Sequence, residues 1–92
     1  MISAVSVTDT PVEVLAAPTD RPYQFVAISN NGAATAYLKV VSGGDAVSST
    51  NGIPLAAGAA FVVDQDVQAR MFKSGVTAVT ASGTTTLGVQ AF

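Results

Sequence analysis

Carboxylates are the side chains of this sequence most able to do chemistry, and the closest pair is Asp64 and Asp66. If Asp20 or Asp45 approached that pair in space, the oxygen atoms would suit a hard cation such as calcium. The pair lacks the further spaced oxygen ligands and the glycine of a calcium loop. We therefore interpret these acids as solvated loop residues and predict no metal site.

The other residue types leave little room for catalysis. The sequence contains no histidine and no cysteine, so the common general bases, thiol nucleophiles and most zinc ligands are missing. Gly43-Gly44 lacks the Lys-Ser/Thr and the following helix of a phosphate-binding loop. Arg70 and Lys73 stand near the acids as surface ion pairs and not as an anion site. The sequence therefore predicts no enzyme and no cofactor.

Tyr37 is the aromatic residue with a possible binding role. Its parity with Thr35 and Lys39 predicts that it faces outward, where it would stack on a sugar or on a partner chain. An ordinary core position in a second sheet explains the residue equally well. No exposed aromatic neighbour is predicted beside it, so a carbohydrate platform is the less favoured interpretation.

Composition describes a small domain that is short of charge. Charged residues make up 11% of the 92 residues, against about 25% in ordinary soluble domains. Hydrophobic residues make up 49%, and the mean hydropathy is +0.47. We expect one face to be covered by another chain. A net charge of −2 without a basic run predicts no nucleic-acid binding, and no apolar run long enough to span a membrane occurs.

Hydrophobic alternation and turn residues predict an all-β protein. Strand-like runs recur every 8–12 residues or so, as in sandwiches, and no window shows a helical repeat. The fold class is a single-domain β-sandwich over residues 1–92, of jelly-roll or Ig-like type, with about seven to nine short antiparallel strands. A small barrel is the other solution. Residues 1–22 are expected to form an N-terminal arm or an edge hairpin.

Individual strands are predicted from the period-two pattern. The Asn31-Gly32 pair between two such runs predicts a β-hairpin that joins them. Phe92, an aromatic residue at the end of the last run, is expected to be docked against the sheet. The predicted runs are 5–7, 12–14, 23–29, 34–41, 46–48, 53–55, 60–63, 67–72, 76–81 and 85–92.

The stretch 48–58 is the corner around which the chain is expected to be arranged. Asn51 and Gly52 tolerate positive φ and predict a tight turn. Pro54 lacks an N–H, so the segment containing it reads as a short edge strand. Ile53 and Leu55 are expected to plug the core from the rim. These five residues and Tyr37 form the candidate corner and interface.

Turn and corner residues also carry a resemblance. Residues 29–38 read SNNGAATAYL, residues 47–58 read VSSTNGIPLAAG, and residues 82–89 read SGTTTLGV. With these motifs, the run from Phe25 to the C-terminus resembles small all-β virion structural proteins of tailed bacteriophages. The resemblance covers about two thirds of the chain. Residues 1–22 match no motif of that group.

The resemblance implies a non-enzymatic structural protein of the virion. Proteins of this kind look like capsid decoration or cement subunits that bind between capsomers and stabilise the head. The implied partners are a major capsid protein and further copies of the chain, with a trimer favoured. The implied location is the capsid surface, after synthesis in the host cytoplasm. The alternative is a receptor- or glycan-binding module of a head fibre or tail component, with Tyr37 in its site.

Overall fold

The computed structural model describes residues 2–19, 23–40, 47–48, 50–64 and 75–92. Within those ranges the chain forms eight strands and no helix, which confirms the all-β prediction. The strands are β1 (Ile2–Val7), β2 (Val12–Leu15), β3 (Phe25–Asn30), β4 (Ala36–Lys39), β5 (Ile53–Leu55), β6 (Ala60–Asp64), β7 (Val76–Thr80) and β8 (Thr85–Ala91).

Two four-stranded antiparallel sheets make up the molecule. One has the strand order β1-β8-β3-β6 and the other β2-β7-β4-β5. The first strand pairs with the eighth, the second with the seventh, the third with the sixth and the fourth with the fifth. Nested pairing of this kind is the winding of a jelly roll, so the structure selects that architecture over an Ig-like one.

The middle of this winding is the connection between β4 and β5. Each of the first four strands pairs with one of the last four, and β4–β5 is the innermost pair. The first part of the predicted corner, up to Gly52, lies in this connection, whereas its later part contains β5 itself and the turn that leads to β6.

The core lies between the two sheets. Along β1, β3, β4 and β8 the more buried residues alternate and face the other layer, whereas all five residues of β7 are buried. β1 and β2 are edge strands of different sheets and pair with β8 and β7, not with each other. The buried core residues are Val7, Val14, Leu15, Val26, Ile28, Ala36, Leu38, Leu55, Val76, Ala78, Leu87, Val89 and Ala91.

The predicted hairpin at Asn31-Gly32 is wrong. β3 pairs with β6 and β8 in one sheet, whereas β4 pairs with β5 and β7 in the other. The chain therefore crosses from one layer to the other at this point. An Asn-Gly pair is a local hairpin signal, but here the preceding residue, Asn30, forms buried hydrogen bonds to residues of both sheets.

Asn30 joins the two sheets at one end of the sandwich. Its side chain is fully buried, and its Nδ2 donates to the carbonyl oxygens of Ala34 and Leu55, both at 2.8 Å. Its Oδ1 accepts from the amide of Gly32 at 3.1 Å and from the hydroxyl of Thr85 at 2.6 Å. Leu55 belongs to β5 of one sheet and Thr85 to β8 of the other. The amide thus ties the crossing segment to both layers.

Gly32 suits the crossing segment because there is no room for a side chain at this position. A Cβ on this residue would meet Thr85 Oγ1 and would lie 2.8 Å from Thr85 Cα and from the backbone nitrogen of Thr86. Because two of those atoms are backbone, they cannot move aside easily. The glycine lets the crossing pass directly over the start of β8.

Candidate functional site

The jelly roll has two outer faces, and one of them is not covered by any other described segment. Side chains alternate across each strand, so every second residue of β1, β8, β3 and β6 points away from the core. We call this surface the open face. Its described members are Ile2, Ala4, Ser6, Phe25, Ala27, Ser29, Ala60, Val62, Thr86, Gly88, Gln90 and Phe92.

The open face exposes large apolar side chains, and the members named above are uncharged. Asp64, the last residue of β6, pairs with Phe25 at one end of this face. Ile2 is 76% exposed, Val62 is 55% exposed and Phe92 is 64% exposed. The residues between them are small or neutral, and in the row that crosses all four strands Gly88 is flanked by Ala4 and Ser29. A flat apolar surface of this kind is typical of a protein-binding site.

An aromatic pair closes one end of the open face. The amide of Phe25 donates to the carbonyl of Phe92 at 3.0 Å, and the amide of Phe92 donates to the carbonyl of Phe25 at 3.1 Å. Directly paired residues place their side chains on the same face, and the two rings stack with centroids 5.5 Å apart. Phe92 is docked through its backbone, as predicted, but most of its ring remains exposed.

The outer face of the other sheet is covered, and we call it the covered face. Its residues are those of β2, β7, β4 and β5 that point away from the core. Val79 is only 4% exposed and Thr77 is fully buried, although both point outward. Their register neighbours on β4 are Tyr37 and Lys39, which are half-buried. This face also carries Glu13, paired with Thr77.

The predicted turn at Asn51-Gly52 contributes to this cover. The amides of Asn51 and Gly52 donate to the carbonyl of Ser48 at 3.3 and 3.0 Å, and Asn51 Oδ1 accepts from the Ser48 amide at 2.8 Å. A Cβ on Gly52 would lie 2.7 Å from the Cβ of Tyr37 and 3.0 Å from Val47 Cγ2. The segment therefore packs against the outer side of β4, and Val47 is buried there.

The glycine with a positive φ in this stretch is Gly58, whereas the sequence predicted Gly52. Gly58 has a φ of 82° and Gly52 is not among the positive-φ glycines. Gly58 is the third residue of a turn in which the amide of Ala59 donates to the carbonyl of Ala56 at 2.9 Å. Gly52 is needed for close packing and Gly58 for backbone conformation.

The edge segment predicted around Pro54 is present as β5. Pro54 pairs with Tyr37 at the edge of its sheet, and Leu55 is buried in the core. Ile53 does not plug the core, which corrects the prediction, because its side chain is 48% exposed. Its partner is Leu38, but an edge strand has a neighbour on one side only, so the outer end of β5 lies beyond the cover of the other layer.

The acidic and basic residues considered for chemistry fall mostly outside the described residues. Asp20, Asp45, Asp66, Arg70 and Lys73 lie there, together with the predicted strand 67–72. The predicted strand 46–48 is wrong, because its described residues 47 and 48 form no strand. Asp64 was predicted in a loop but is the last residue of β6. Within the described ranges no group of three or more acidic side chains is placed to hold a metal ion. The same ranges contain no helix long and apolar enough to cross a bilayer.

Comparison with known proteins adds no relative. No protein-family model, no curated protein and no solved structure matches the chain. The functional argument therefore depends on the surfaces described above.

Sequence reasoning placed the candidate interface on the corner and did not find the open face. Alternation within β1, β3, β6 and β8 predicted which residues share a side of each strand. Only the strand order shows that these four strands are neighbours in one sheet. Short charge-free runs such as ISAVSV in β1 and TTLGVQA in β8 were the available signal.

Proposed function

We propose that the protein is a non-enzymatic structural subunit that binds the surface of a larger protein assembly through its open face. The observation that carries the proposal is the contrast between this face, with Ile2, Val62 and Phe92 exposed, and the covered face, where Val79 is buried. Burial of an exposed apolar side chain stabilises a complex by roughly 25 cal/mol per Å² of area removed from water. The members named for the open face are uncharged, so burying them avoids the large desolvation cost of buried charges.

Within that class we propose a capsid decoration subunit of a bacteriophage that binds between capsomers of the major capsid protein. The turn and corner motifs support this assignment through their resemblance to small virion proteins, and the jelly-roll winding suits it because viral capsid domains use the same architecture. The low content of charged residues agrees with a subunit whose surface is buried against neighbouring subunits in an assembly.

Co-sedimentation with empty capsids tests the proposal. The purified chain is mixed with empty heads assembled from the major capsid protein encoded in the same genome. We expect the wild-type chain to pellet with the heads. Val62→Asp places a charge on the open face, on its edge strand β6, and is expected to weaken binding at least about tenfold, because burying an unpaired carboxylate is costly.

Val40→Asp is the matched control. Val40 is also an exposed valine, at 42%, but it follows β4 of the other sheet. This variant is expected to bind like the wild type. If the wild-type chain stays in the supernatant, or if both variants bind equally well, the proposal is wrong.

A glycan-binding module of a head fibre or tail is the second candidate. The observation that favours it is the stacked pair of Phe25 and Phe92, since an exposed aromatic ring suits the apolar face of a sugar. Tyr37, the residue first considered for this role, is half-buried beside Gly52. Glycan-array binding that is lost in Phe92→Ala, with no binding to capsids, would favour this candidate over decoration.

A further inference from the structure

The edge strands of the sandwich differ in how well they are protected against pairing with another chain. An unpaired edge is usually blunted by proline, by charge or by a bulge. β5 contains Pro54, and β2 contains Glu13 and a shift of register after it. β1 has none of these features, because its sequence is ISAVSV over six residues.

The hydrogen bonds of the sheet identify which groups of β1 are unpaired. Phe25 and Phe92 exchange two hydrogen bonds, and Asn31 donates to the carbonyl of Thr86. Even-numbered residues of β8 therefore bond to β3, and odd-numbered residues bond to β1, because successive residues of a strand point their polar groups to opposite sides.

The register then fixes the free groups. Leu87 pairs with Val5, so Ser3, Val5 and Val7 direct their amides and carbonyls toward β8. Ile2, Ala4 and Ser6 direct theirs away from the sheet, where the described residues supply no partner. Three amides and three carbonyls thus stand in a row along an uncharged edge.

We propose that β1 pairs in antiparallel fashion with β1 of a second copy of the chain, about a two-fold axis that passes beside Ala4. In this register Ala4 faces Ala4 of the second copy, and Ile2 faces Ser6 at either side. Every free group of one strand meets a free group of the other, so that six backbone hydrogen bonds form, two for each facing pair of residues.

The chemistry of β1 identifies a second copy as the partner. The strand satisfies its own polar groups when it is paired with itself, and its small side chains at Ala4 and Ser6 leave room for a neighbour. No charge on β1 opposes the contact, and the two Asp9 residues beyond it lie at opposite ends of the antiparallel pair. The result is an eight-stranded sheet whose two open faces form one continuous surface, twice as large as the surface of a single copy. The resemblance to virion proteins favours a trimer, whereas a two-fold contact gives a dimer.

Analytical ultracentrifugation of the purified chain without capsids tests this pairing separately from the proposed function. We expect a monomer–dimer equilibrium. Ala4→Pro removes an outward amide and no hydrogen bond within the chain, and is expected to weaken the dimer on the order of 10- to 100-fold. Ala60→Pro makes the same change at an outward position of β6, the other edge of the same sheet, and should leave the dimer intact.

A charge swap tests the register. Ala4→Lys and Ala4→Glu each place like charges directly opposite one another, so each variant alone is expected to be monomeric. An equimolar mixture is expected to recover the dimer, because Lys then faces Glu. Circular dichroism should show both variants folded, since position 4 is exposed.

Three outcomes overturn the pairing. They are a wild-type chain that stays monomeric up to its solubility limit, a trimer by mass, and a dimer that Ala60→Pro breaks as strongly as Ala4→Pro. Failure of the mixture to re-form the dimer contradicts the register about Ala4.

Discussion

The two outer faces of this jelly roll are built from the same kind of strand but differ in how much of each is exposed to solvent. The covered face carries Tyr37, Lys39 and Glu13, the turn that contains Gly52 packs against Tyr37, and Val79 on the same face is buried. The open face has Asp64 at one end, paired with Phe25, and its other members are uncharged and leave Val62 in water. The difference shows that described residues of the β4–β5 connection, Val47 and Gly52, pack against one sheet, while no described segment does the same on the outer side of the other sheet.

One aspartate substitution on each outer face gives the largest expected change in stability. The pair tests directly whether the two faces differ in burial. Val79→Asp buries an unpaired carboxylate on the covered face and is expected to lower the free energy of unfolding by about 3–5 kcal/mol. Val62→Asp leaves its carboxylate in water on the open face and should change it by less than about 0.5 kcal/mol. Urea unfolding followed by circular dichroism measures both. Equal losses of stability in the two variants would mean that the faces do not differ as described.

Asn30 offers a second test, because it links the sheet of the open face to the sheet of the covered face. Asn30→Ala removes four hydrogen bonds and leaves the part-buried carbonyl of Ala34 and the buried carbonyl of Leu55 without this donor. We expect a loss of about 2–4 kcal/mol in the same unfolding measurement.

Thr85→Val is the control for that change. It removes only the hydroxyl that donates to Asn30 Oδ1, which keeps its bond from Gly32, so a loss of about 1 kcal/mol is expected. If Asn30→Ala cost no more than Thr85→Val, the amide would not be the link between the layers that we describe.

Much of the fold followed from the sequence. The two-layer all-β architecture, the central position of the turn at Asn51-Gly52 and the edge strand around Pro54 all agree with the structure. These features depend on local alternation and on backbone constraints of glycine, asparagine and proline, which are properties of neighbouring residues.

The predictions were wrong where contacts between residues far apart in the sequence determine the structure. Asn31-Gly32 looked like a hairpin because the buried bonds of Asn30 to Leu55 and Thr85 involve residues 25 and 55 positions away. A local signal was nevertheless present, since Asn30 follows Val26 and Ile28 on the core side of β3. Ile53 was placed in the core by its alternation with Leu55, and alternation alone does not show where the opposite layer ends.

The open face as a whole was beyond local reasoning for the same reason. Its rows combine β1, β8, β3 and β6, which are scattered along the chain. The sequence indicated that some face would be covered by another chain, and the strand order identifies which face is uncovered.

Side-chain footprinting of the free and capsid-bound protein is the most direct test of the open face as the binding surface. Hydroxyl radicals label exposed side chains, and mass spectrometry reads the labelled residues. Labelling of Ile2, Val62 and Phe92 is expected to fall on binding, while labelling of Val40 and Ile53 stays unchanged. Loss of labelling at Val40 and Ile53, with the open face still labelled in the bound protein, would contradict the account.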